Sequence, residues 1–89
     1  MKLCGIEIDD PRERGIARRD YREYKEGVRT TVREMWVSSY VREGSAVSLW
    51  RYPLTITNRG VCTFDGKQVK DDGERKLIGE LFSSVRLVE

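Results

Sequence analysis

Eighty-nine residues, 38% hydrophobic and 36% charged, supply one modest core and too little chain for two ordinary domains, so residues 1–89 are expected to form a single compact domain. Seventeen basic and fifteen acidic side chains leave a formal charge of +2. Their even spread excludes a basic or acidic tail and makes no demand for an anionic partner. No apolar run approaches the roughly 18 to 20 residues of a membrane span, and the first residues lack a signal-peptide core, so a cytoplasmic location is expected.

Residues 2–8, Lys-Leu-Cys-Gly-Ile-Glu-Ile, read as a short strand in which Cys4, Ile6 and Ile8 share the buried face by period-two counting. Gly5 interrupts the alternation and marks a bend or bulge. Asp10-Pro11-Arg12-Glu13 has the form of a helix entrance, with an oxygen-bearing cap, proline in the first helical position and an acid in the first turn. Gly15 weakens continuity, and the main helix is placed at 16–26. Ala17, Tyr21 and Tyr24 recur there at spacings of four and three, and Gly27 supplies its stop.

Residues 28–41 carry two competing patterns. Val28, Val32, Met35, Trp36 and Tyr40 fit a helical face, yet the run is dense in Val, Thr, Trp and Tyr and ends at the turn Arg42-Glu43-Gly44-Ser45. A long strand is the preferred reading. Ala46 to Thr57 continues in β-rich sequence, with Pro53 confined to an edge, bulge or break. Asn58-Arg59-Gly60 and Asp65-Gly66 are turn signals, the second of hairpin type. If both are tight turns, Thr57 pairs with Val61, Ile56 with Cys62, Leu54 with Phe64, Phe64 with Lys67 and Cys62 with Val69. Leu54, Ile56, Cys62, Phe64 and Val69 then share one apolar face, which predicts a meander over 46–70.

Asp71, followed three residues later by Glu74, resembles an acidic capping box. Behind it Leu77, Ile78, Leu81, Phe82 and Val85 form a 3.6-period stripe, predicting an amphipathic helix over 71–86. Gly79 lies within that stripe and suggests close packing on the sheet. Leu87-Val88 continue as a last turn or a short extended tail. The expected fold is therefore α+β: an antiparallel sheet of three to five strands with two amphipathic helices on one face, in the order β-α-β-β-β(-β)-α.

Chemistry-bearing constellations are scarce. The chain has no His, so Ser-His-Asp, Cys-His and histidine-based zinc sites cannot be assembled. Asp9/Asp10 and Asp71/Asp72 flank helix starts and are explained by capping. No glycine-rich phosphate loop occurs. Cys4 and Cys62 are expected to be buried reduced thiols rather than a disulfide. No catalytic residue, metal or cofactor is expected.

What remains is an aromatic and arginine-rich middle. Arg33, Trp36, Tyr40, Arg42, Trp50, Arg51 and Tyr52 combine the residue types that anchor protein interfaces. They point to a small non-enzymatic regulatory or inhibitory protein-binding domain, of the kind viral or bacterial accessory proteins provide, or to self-association as a homodimer. The alternative is nucleic-acid binding through Arg12, Arg14, Arg18, Arg19, Arg22 and Lys25 on the 16–26 helix and its approach, with exposed aromatics for stacking. Glu13, Asp20, Glu23 and Glu26 interrupt that basic series.

Overall fold

A computed structural model of the protein describes residues 1–87; the expectation for Val88 lies outside them. The chain opens with a small hairpin, β1 (Lys2–Leu3) and β2 (Ile6–Glu7), followed by one helical turn, α1 (Pro11–Arg14). A five-stranded antiparallel meander comes next: β3 (Arg18–Lys25), β4 (Val28–Glu43), β5 (Ala46–Thr57), β6 (Cys62–Phe64) and β7 (Lys67–Gln68). The helix α2 (Asp72–Ser84) ends it. The fold is α+β, with strands and two helices in the expected order.

Two expectations at the N-terminal end are corrected. Residues 2–8 do not run as one strand: Cys4 and Gly5, at φ 50° and 80°, form the two-residue turn between β1 and β2. The fold therefore buries Leu3 and Ile8, half-buries Ile6 and leaves Cys4 exposed. The second correction is larger, because the helix placed at 16–26 is the strand β3. Gly15, at φ 64°, closes α1 after a single turn, its N–H bonding to Pro11 O. Glu26 and Gly27, at φ 53° and 75°, then form a hairpin turn that pairs Lys25 with Val28. A left-handed glycine serves a helix stop and a tight hairpin equally well. Pairing with the β-branched run of β4 overrides the helix propensity of Arg, Glu and Lys.

The rest follows the sequence closely. β4 spans the preferred strand and continues to Glu43. Leu54 pairs with Phe64, Ile56 with Cys62 and Phe64 with Lys67. Thr57 N–H bonds to Val61 O, and Val69 N–H to Cys62 O. Leu54, Cys62, Phe64 and Val69 are buried beside half-buried Ile56, so both turns set the predicted register.

α2 covers this face with Ile78, Leu81 and Phe82, joined by Val85 just past its end. Met35 and Val37 of β4, and Leu3 and Ile8 from the N-terminal segment, complete the core. Asp71 caps α2 by accepting from Glu74 N–H at 3.0 Å. The capping box is only half made, because the Glu74 carboxylate instead accepts from Cys4 N–H at 2.6 Å. Gly79 has no role in close packing: a Cβ there would meet nothing within 4 Å.

At 16 and 12 residues, β4 and β5 outrun their neighbours. β3 pairs with β4 only up to Met35, and β6 with β5 only down to Leu54. Beyond those rungs the β4–β5 hairpin continues as a two-stranded arm, from Trp36/Pro53 to Glu43/Ala46. The described residues extend 50 × 27 × 22 Å.

A candidate protein-docking surface on the β4–β5 arm

The Gly44-Ser45 turn, with Gly44 at φ 62°, fixes the arm's register by pairing Glu43 with Ala46. Counting back gives the rungs Arg42/Val47, Tyr40/Leu49, Ser38/Arg51 and Trp36/Pro53. Successive side chains alternate across a strand, so these four rungs share one face. They lie opposite the helix-covered face that carries Met35, Val37 and Leu54. From Trp36 to Arg42 the stripe runs about 20 Å, at roughly 3.3 Å per residue.

Trp36, Tyr40, Val47 and Leu49 are all exposed on this stripe, at 46 to 55% of their full accessibility. Isolated exposed apolar residues are ordinary, whereas Tyr40, Leu49 and Val47 on two adjoining rungs, with Trp36 on the far side of the Ser38/Arg51 rung, form a patch of the kind that marks an interaction site. Arg42 stands across from Val47 at one end and Arg51 lies between Trp36 and Leu49; among the described residues neither pairs with a carboxylate. The arm's base is held firmly. Asp9 N–H donates to Ser38 O at 2.8 Å, Ser39 Oγ–H donates to Glu7 O at 2.6 Å, and both serines are buried. The Arg14 guanidinium lies 5.2 Å from the Tyr40 ring centroid and donates to its hydroxyl at 3.1 Å. Tyr40 is thereby oriented while keeping nearly half its surface exposed.

The arm also presents open backbone. Thr57 N–H bonds to Val61 O, and Pro53 O accepts from Asp65 N–H, both at 2.9 Å. Donors and acceptors alternate along an antiparallel strand, so the odd-numbered residues of β5 direct N–H and C=O away from β4. On Val47, Leu49 and Arg51 those groups have no backbone partner among the described residues.

Of the seven residues expected to bind protein, the structure brings Trp36, Tyr40, Arg42 and Arg51 together on the open face. Trp50, exposed, lies on the reverse face of the arm opposite Ser39. Tyr52 is half-buried and stacks on Phe64 at 5.4 Å, which makes it part of the core. Arg33 sits at the far end of β4, its Nε 3.4 Å from Asp20 Oδ2. Val47 and Leu49 were missed. The signal for them was the turn at 44–45, whose register sets them opposite Arg42 and Tyr40.

The basic residues of the alternative reading are not on a helix and do not converge. Arg18 and Arg22 project from one face of β3, Arg19 and Lys25 from the other. Arg12 pairs with Asp10 at 2.7 Å and Arg14 with Asp9 at 3.5 Å. Arg19 pairs with the largely buried Glu34 at 2.9 Å. Arg18 donates from Nη1 to Phe82 O, and its backbone N–H bonds to Arg86 O at 3.1 Å. A cation placed on the carbonyl end of α2 satisfies groups that the helix leaves open.

Among the described residues no group of three His, Cys, Asp or Glu could hold a metal ion, and no helix is long and apolar enough to cross a membrane. No family model, curated protein or solved structure matches the chain.

Proposed function

We propose that the protein is a small non-enzymatic regulatory or inhibitory binding domain that docks onto another protein through the open face of the β4–β5 arm. One observation carries this reading: Trp36, Tyr40, Val47 and Leu49 stand exposed on one face, interspersed with Arg42 and Arg51, on a hairpin whose base is pinned. Aromatic and arginine side chains on a preorganised surface bind with little ordering cost, and they dominate the energetics of many interfaces. The basic residues of β3 and α1, by contrast, are divided between faces or engaged in local ion pairs. They offer no continuous track for a phosphate backbone.

Affinity capture with the intact protein, run on matched nuclease-treated and untreated samples, tests the proposal. The expected result is a stoichiometric protein partner that survives nuclease. Its affinity should fall about 30-fold or more in Trp36→Ala and Tyr40→Ala, the loss typical of a hot-spot residue. Capture that depends on RNA or DNA would overturn the reading, as would a partner indifferent to both substitutions.

A further inference from the structure

The open edge of β5 has a length, a centre and an unusual sequence. It is bounded at one end by Pro53, which lacks an amide donor and whose carbonyl is taken by Asp65 N–H. At the other end it is bounded by the turn at Gly44-Ser45. Within those limits the outward-facing residues are Val47, Leu49 and Arg51, and the midpoint is Leu49. On the turn side of Leu49 stand Ala46, Val47 and Ser48, all small. On the Pro53 side stand Trp50, Arg51 and Tyr52, all large.

Folding this sequence back on a second copy, antiparallel about Leu49, sets a larger residue against a smaller one in every pair off the axis: Trp50 against Ser48, Arg51 against Val47, Tyr52 against Ala46. The only charge on the edge, Arg51, meets an uncharged valine rather than its own copy, so no like charges are placed opposite each other. All three outward-facing residues become hydrogen-bonded positions, giving about six ladder bonds across the pair. A slip of one step toward the body would set Pro53 opposite Val47, where a donor is required.

From this self-complementarity we propose that the occupant of the β5 edge is a second copy of the chain, paired about a twofold axis through Leu49. The inference rests on the proposed docking role of the arm and gives it a first partner. On the open face the central rung becomes Tyr40–Leu49–Leu49–Tyr40, an apolar band across both copies with a Trp36 toward each end. The two arms then present one surface to any further protein. A contact using one patch twice is closed by its own symmetry and stops at two copies.

Light scattering behind size-exclusion chromatography, over a concentration series, tests this pairing. The wild-type mass should rise from 10.4 kDa toward twice that value. Leu49→Lys and Leu49→Glu, each placing like charges on the axis, should stay at single-chain mass, and an equimolar mixture of the two should recover the dimer. In the wild type the amides of Val47, Leu49 and Arg51 should gain hydrogen-exchange protection as concentration rises, a readout that needs no variant. A wild-type chain that remains single throughout, a Leu49→Lys chain that still pairs, or a dimer that leaves those three amides unprotected would each overturn the proposal. A single chain that still captures a nuclease-resistant partner through Trp36 and Tyr40 would overturn the pairing alone and leave the docking role standing.

Discussion

Leu3 is buried and Cys4 exposed because a two-residue turn, at φ 50° and 80°, swings the chain back before the period-two pattern can continue. Cys4 therefore reaches solvent, while Cys62 lies in the core against α2. Partial burial, and after it the nearby Glu74 carboxylate, push the Cys4 thiol above its ordinary value. Less thiolate is then available at a given pH, which slows alkylation. Mass spectrometry after treatment with a thiol reagent should show one modification per folded chain, at Cys4. Glu74→Gln keeps an acceptor for Cys4 N–H and removes the charge, so it should speed the reaction. Equal labelling of both cysteines would contradict the burial of Cys62.

Among the elements, α2 owes its start to Asp71 and its position to Ile78, Leu81 and Phe82. Asp71→Ala should cost about 1 kcal/mol, the usual value of an N-cap. Gly79→Ala should gain up to about 1 kcal/mol, since the added methyl meets nothing and the helix loses its weakest interior residue. In a domain of this size, thermal melts should move by about 4 to 8 °C per kcal/mol, in opposite directions for the two variants. A fall in both would mean that Gly79 has a packing role after all.

Where two turn signals imposed one register, the meander was legible in the sequence. The turn at 58–60 placed Leu54, Ile56, Cys62 and Phe64 on one face, the turn at 65–66 added Val69 to it, and the structure keeps those pairs. β3 was not legible, because its Arg, Glu and Lys residues favour helix and its bounding glycines suit either structure. Only the strand it pairs with decides between them. The docking surface was half legible for a related reason. Residue type pointed to Trp36, Tyr40, Arg42 and Arg51, whereas Val47 and Leu49 join them through cross-strand register, which composition does not carry.

At the scale of the whole molecule, a small core held between α2 and the meander leaves the ends of the two longest strands with nothing to cover them. Proteins ordinarily blunt such an edge with charge, proline or a covering segment. Here Glu7 and Asp9 close the base of the arm and Pro53 blocks one end of the β5 edge, but the stretch from Val47 to Arg51 is left open. A docking role requires that this opening exist in the isolated chain, and residue-resolved hydrogen exchange in dilute solution measures it directly. Ser48, Trp50 and Tyr52 direct their amides to β4 and should be protected, while Val47, Leu49 and Arg51 should exchange at nearly free rates. Uniform protection from 46 to 52 in the single chain, or none at all, would contradict a preformed arm with an open edge.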